Sequence, residues 1–255
     1  MNLSNTHRAA CVWLLGLVVP ALGENSPQVA PATTDAALPA AVDLRPKFAD
    51  FGLAPRSQGR RNTCSVFTTV GALEFAASRR AAAGKPLSVE YLNWACNQVI
   101  GNKTQDRGQF FHHLLQAFQE YGVCAAADMP YGRRFDPELA PAPEVVAKAR
   151  ELVAGGLAIH WIRPLTKEQG LSDEQFREVK TVLAQGWPVA AGSDHSRLLV
   201  GYQDDAAQPG GGTFVTKDSG AGGYGQVTYE FVRTRVGDAF WVESAQTPAA
   251  ASAGS

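Results

Sequence analysis

The chain has 255 residues, 45% of them hydrophobic, with 23 Lys and Arg against 24 Asp and Glu and a formal net charge of -1. That length supports one large domain or two small ones, each with a real core. The balance of charge, with no run of one sign, excludes an electrostatic footprint for nucleic acid or acidic lipid.

In chain order, His7 and Arg8 precede the short apolar run AACVWLLGLVVP, followed by ALG with small residues at Ala21 and Gly23. Residues 1–23 therefore read as a signal peptide cut near Glu24, which makes the protein secreted or periplasmic. An apolar run of about eleven residues is too short to cross a bilayer as a helix, so no stable membrane span is expected. The absence of a cysteine at the expected cut argues against a lipid-modified N-terminus. Residues 24–40, ENSPQVAPATTDAALPA, lack an apolar period and read as a flexible leader. Residues 245–255 read as a disordered tail for the same reason, leaving one folded region over 41–244. Loss of the leading segment removes Cys11 and leaves Cys64, Cys96 and Cys124 where disulfides are permitted. An odd count predicts one free thiol without choosing it.

From Ala41 to Gly132 the pattern is helical. Phe67, Val70, Leu73 and Ala76 or Ala77 mark one buried face of a helix from Cys64 to Arg80, ended by Gly84 and Pro86. Ser88 caps a second helix through Cys96. QFFHHLLQAFQEY forms a third, which stops at Gly122. Ser172 caps a fourth over residues 172–185, ending at Gly186. The period then shortens: WPVAAGS, SRLLVGYQ, GTFVTKDS, VTYEFV and AFWVES are β-rich runs between glycine clusters, the pattern of an antiparallel sheet or barrel. Helices first and strands later give an α+β fold with a cleft between the halves.

A cysteine nucleophile needs thiolate character, a base within reach and donors aimed at the developing oxyanion. Cys64 at the first turn of a helix meets the free N–H groups and the helix dipole, which favour a negative sulfur. Gln58 on the preceding loop offers an amide donor; His195 opens one strand and Asp218 ends another. Each also has a plain alternative: Cys64 as a small core residue, His195 as a structural histidine, Asp218 as a turn cap, Gln58 as an exposed loop residue. His112 and His113 have no ligand partners at helical spacing, so neither metal nor cofactor is expected. PGGG, Pro209–Gly212, precedes a strand and is a hairpin turn, not a phosphate cradle.

His195 and Asp218 follow Cys64 by about 130 and about 150 residues, close to the separations of the His and Asn of papain-type proteases. With SQGRRNTCSVF, DHSRLLVGY and VTKDSGAGGYGQVTYEFV, supported by LSVEYLNWAC and EYGVCAAADMPY, the chain resembles the papain-like cysteine peptidases from VDLRPKF to AFWVE. The resemblance implies a helical half and a β half flanking an active-site cleft. It implies Cys64 as nucleophile, His195 as base and then acid, Gln58 with the Cys64 N–H as oxyanion hole, and Asp218 as the group that orients the imidazole. It also implies a Cys96–Cys124 disulfide, substrate contacts at Arg107, Gly108 and Asp194, and a peptide or protein substrate; a monomer is expected, though no residue pattern reads out the oligomeric state.

The departures from the family pattern are specific. Arg61 stands where the family has a bridging cysteine, Ser65 where it has tryptophan, and Arg107–Gly108 where it has two glycines. Asp218–Ser219–Gly220 replaces Asn–Ser–Trp, removing an indole that shields the imidazole partner, and only AAGS separates Val189 from Asp194. An Asp in the third position is shared with transglutaminase-like acyltransferases, and the losses leave room for a non-catalytic peptide-binding protein. The Gln58 spacing and the DHSRLLVGY context favour the peptidase.

Overall fold

The computed structural model describes residues 37–102, 104–154 and 156–244. The expected signal peptide, the leader up to residue 36 and the tail lie outside the described residues. Residues 37–40 of the expected leader belong to the fold: the Pro39 carbonyl accepts from the Tyr202 hydroxyl at 2.9 Å, and the Ala40 carbonyl accepts from the Asp204 N–H at 2.8 Å.

The elements follow in the order β1 Ala41–Asp43, α1 Arg45–Asp50, α2 Cys64–Ala81, α3 Val89–Ile100, α4 Phe111–Tyr121, α5 Pro143–Ala154, β2 Leu157–Arg163, α6 Asp173–Ala184, β3 Val189–Gly192, β4 Arg197–Asp204, β5 Gly212–Asp218, β6 Gly223–Thr228, α7 Tyr229–Arg235 and β7 Asp238–Ser244. This is the expected α+β arrangement. The strands form one antiparallel sheet in the order β2-β7-β3-β4-β5-β6, with β1 paired to β4.

The central element is α2, which is buried almost all round from Ser65 to Ser78 because α3 and α4 cover one side and the sheet the other. Its approach to the sheet is close at Gly71, where a Cβ would lie 2.9 Å from Leu198 Cδ2 of β4. The core runs through this contact: Phe75, Leu73 and Val70 of α2 meet the large side chains of the other layers, including Phe48, Tyr91, Phe111 and Phe240, all at most 2% exposed. Burying that much apolar surface at about 25 cal/mol per Å² is what holds the helical layer on the sheet. One charged cluster is enclosed with it. Glu74, 1% exposed, accepts from Arg56 at 2.7 Å and from Lys217 at 3.2 Å, so the buried carboxylate is paired from both layers.

The helix ends obey local chemistry. Ser88 accepts from the Tyr91 N–H, and Ser172 forms a complete capping box with Gln175, as the sequence predicts. Gly122 closes α4 at φ +75°, where a Cβ would lie 2.0 Å from the Ala149 carbonyl, so both the turn and the approach of α5 require glycine. Three features differ from the sequence reading. The segment expected to be wholly helical begins with β1, and α5 and β2 occupy a stretch to which no element was assigned. VTYEFV is a strand only to Thr228. There the threonine side chain accepts from the Phe231 N–H and starts α7, whose buried Tyr229 and Val232 follow helical spacing.

Candidate active site

Cys64 is the first residue of α2 and is half-buried. Thr63, at the N-cap, does not use its side chain on the helix. Its hydroxyl instead pairs with the Tyr131 hydroxyl at 2.7 Å, which in turn donates to the Gln58 carbonyl at 3.0 Å. The first-turn N–H groups thus remain available to the sulfur, and the Ser65 N–H is one that stabilises its negative form.

The imidazole side is set by strand register. In the antiparallel β4–β5 pair Leu198 lies opposite Lys217, so His195, just before β4, and Asp218, the last residue of β5, meet at one end of the ladder. The His195 Nε2–H donates to Asp218 Oδ1 at 2.7 Å, which leaves Nδ1 for the Cys64 thiol, the group that raises the ring's pKa most. Asp218 also accepts from the Gly220 N–H at 2.8 Å and from Arg197 Nε at 3.1 Å, and the same guanidinium donates to the His195 carbonyl at 3.0 Å. Sequence reasoning missed Arg197. It is the first residue of β4, two after His195, and no motif in the sequence signals it.

The electrostatics of the three groups agree. For Cys64, burial pushes the thiol up, but the His195 hydrogen bond and the Ser196 and Ser65 N–H groups outweigh it, and the pKa lies below the ordinary value. For His195, the hydrogen bond with Cys64 and then Asp218 raise the pKa against burial. For Asp218, burial is outweighed by the His195 and Gly220 donors, which hold the carboxyl low. A thiol lowered and an imidazole raised favour a thiolate–imidazolium pair.

Gln58 is tied on every side but one. Its Oε1 accepts from the Ser219 hydroxyl at 2.7 Å, its backbone N–H donates to the Ser219 carbonyl at 2.9 Å, and one Nε2–H donates to the Arg61 carbonyl at 2.7 Å. The second amide proton is uncommitted among the described residues and available to an oxyanion. Arg61, in the position of the family's cysteine, is 4% exposed and binds Glu90 at 2.5 Å, the Gly132 carbonyl at 3.0 Å and Asp106 at 3.3 Å, with its guanidinium 4.7 Å from the Tyr131 ring. A buried charge network therefore ties the Cys64 loop to α3 and to the loop of Asp106, where a covalent bridge was expected to be simply lost.

The expected Cys96–Cys124 disulfide is absent: all three described cysteines are free. Cys124 sits at the N-cap end of α3, where its carbonyl accepts from the Ser88 N–H at 2.9 Å. Cys96 lies some two turns further along that helix, about 12 Å by helical rise and beyond bridging distance, and donates to Gln109 Oε1 at 3.3 Å. Burial pushes the Cys96 thiol up to about 12 and the Cys124 thiol up to about 11. What distinguishes Cys64 is therefore its depressed pKa, not elimination by pairing.

Gly108 and Asp194 line a cavity of about 390 Å³ that opens at Cys64, together with Ser65, Phe111 and Asp238. Arg107 is not part of that lining; it is exposed and its Nε donates to the Gln105 side chain. Where the indole is missing, Gly220 itself covers the pair, since a Cβ there would lie 3.2 Å from His195 Nε2 and from Asp218 Oδ1. Among the described residues no group of three or more His, Cys, Asp or Glu is arranged to hold a metal ion, and no helix is long and apolar enough to cross a membrane.

No family model and no curated protein matches the sequence. Solved structures do. Digestive procathepsin L 3 of Tenebrio molitor larval midgut superposes with a TM-score of 0.61 at 18% identity, covering 82% of this chain and 71% of that one. Xylellain, a cysteine protease from Xylella fastidiosa, gives a TM-score of 0.61 at 20% identity over 83% of this chain and 88% of its own. The recombinant stem bromelain precursor gives 0.57 at 14%, over 82% and 71%. The chain has the papain-like fold that these cysteine proteases share.

Proposed function

We propose that the papain-like fold of this chain carries an exported thiol-dependent peptidase that cleaves peptide bonds through Cys64, His195 and Asp218. The observation that carries the proposal is the placement of Cys64 as first residue of α2 with His195 held by Asp218 at 2.7 Å, an arrangement that pushes the thiol down and the imidazole up. The Cys64 thiolate attacks the carbonyl carbon of the scissile bond, and the negative oxygen is met by the free Nε2–H of Gln58 and the Cys64 N–H. The His195 imidazolium gives its proton to the departing amine as the C–N bond breaks, leaving an acyl-enzyme. His195 then takes a proton from water as its oxygen attacks the acyl carbon, and the C–S bond breaks to release the carboxylic acid and restore the thiolate–imidazolium pair. Asp218 holds Nε2–H throughout, so the ring keeps Nδ1 toward the thiol.

The acyl-enzyme could also pass to an amine, the acyltransferase outcome that an Asp in the third position shares. The fold's likeness to cysteine proteases supports water as the acceptor. Export rests on the leading segment and is tested by finding the mature chain, starting near Glu24, outside the cytoplasm. The chemistry is tested with an epoxide thiol inhibitor: wild type takes up one equivalent and loses hydrolysis of a peptide library, while Cys64→Ala does neither. An unlabelled wild type at neutral pH overturns the proposal.

A further inference from the structure

Asp238, the first residue of β7, is 6% exposed, yet its carboxylate has no hydrogen bond or ion pair among the described residues. Burial alone acts on it, pushing it up to about 6. The β3–β7 register sets Asp238 opposite Gly192, and only a missing side chain makes room: a Cβ at Gly192 would lie 1.8 Å from Asp238 Oδ1 and 3.1 Å from the Phe111 ring. The carboxylate lines the cavity that begins at Cys64. Around the opening stand Phe110 and Leu165, 54% and 42% exposed, two of the few large apolar side chains that the described fold leaves in water.

The other charged groups of this lining are Asp194, Lys167 and Arg235. Arg235 acts on Asp194, which is held low chiefly by the Ser193 hydroxyl, and none of these groups moves Asp238. An apolar mouth over an uncompensated carboxylate matches a side chain with a methylene stem and a cationic head. Such a head supplies the partner that Asp238 lacks. A neutral apolar side chain would bury the carboxylate further without one, and an acidic side chain would repel it.

We propose that the cavity beside Cys64 selects a substrate by a lysine or arginine side chain whose cationic head pairs with Asp238. This rests on the peptidase reading and assigns it a substrate class. The test is a positional scan of fluorogenic peptides bearing Lys, Arg, norleucine or Glu at each position around the scissile bond, run with wild type and Asp238→Asn. At one position Lys or Arg exceeds norleucine by at least about ten-fold in kcat/KM, and Asp238→Asn lowers that ratio by a similar factor. A ratio near one at every position, or one that Asp238→Asn leaves unchanged, overturns the assignment.

Binding of the same peptides to Cys64→Ala and to the Cys64→Ala, Asp238→Asn double variant, followed by fluorescence anisotropy, separates the two claims. A basic preference in binding without turnover in wild type sinks the peptidase and keeps the pocket; turnover without preference does the reverse. Should Asp238→Asn not fold, the wild-type Lys-to-norleucine ratio still reads the group, because it falls as pH drops through about 6. Cys64 and His195 act on all peptides alike, and lysine and arginine do not titrate near that pH. A flat ratio counts against Asp238.

Discussion

The two sides of the site are held by different physics. The imidazole side, His195 and Asp218, stands on the end of a β-ladder, where main-chain hydrogen bonds set the register and Arg197 and Gly220 only trim it. The Cys64 side stands on a loop fastened by side chains: Arg61 to Glu90 and Asp106, Tyr131 to Gln58, Gln58 to Ser219. A ladder spreads its strength over many equivalent bonds, so no one side chain decides it. A buried charge network concentrates it, because removing one member leaves the others desolvated and unpaired.

Removing the sulfur has the largest expected effect and leaves both scaffolds standing: Cys64→Ala lowers kcat/KM by about 10⁴-fold or more with an unchanged urea midpoint. The contrast between the sides is then read by two arginines. Arg61→Met, which strands Glu90 with 4% of its side chain exposed, costs about 3–5 kcal/mol in urea unfolding. Arg197→Met, whose guanidinium is 23% exposed over a ladder that persists without it, costs about 1.5 kcal/mol. Equal losses would erase the distinction.

Asp238 is the exception on the ladder side, a charge with no partner. Its folded pKa is raised above the unfolded value, so wild type is relatively more stable below the unfolded pKa and loses that advantage as pH rises through about 6. Asp238→Asn should therefore be the more stable protein at pH 8, by on the order of 3 kcal/mol, with the difference vanishing toward pH 4. Thermal melts across that range decide it. The smallest effect belongs to Asp218→Asn. The Asn carbonyl still accepts the Nε2–H, so kcat/KM falls by roughly ten-fold. Losing the negative charge lowers the raised His195 pKa, so the alkaline limit of the pH–rate profile moves down.

The same division explains what the sequence revealed. Elements whose cause is local were legible: the caps at Ser88 and Ser172, the glycine stops, the short β-rich runs. So were Cys64, His195 and Asp218, since each sits at the end of an element that the pattern marks. The Arg61 network was not, because its partners Glu90, Asp106 and Gly132 come from three distant segments and no local period signals them. The Cys96–Cys124 pairing failed for a related reason: it was carried over from a resemblance, while the distance between the two cysteines depends on how the Cys124 loop docks at the start of α3. VTYEFV misled because β-propensity cannot register a threonine that caps the following turn.

The three free cysteines carry a practical consequence for handling the protein. No covalent cross-link in the described fold depends on oxidation, so a reductant strong enough to keep Cys64 as a thiol dismantles nothing around it. With Cys96 and Cys124 buried and their thiolates strongly disfavoured, an alkylating reagent at neutral pH meets a single reactive sulfur among the described residues. On a chain lacking residues 1–23, and with them Cys11, the mass of one adduct on the folded protein therefore counts reactive Cys64 directly, and a second adduct reports unfolding.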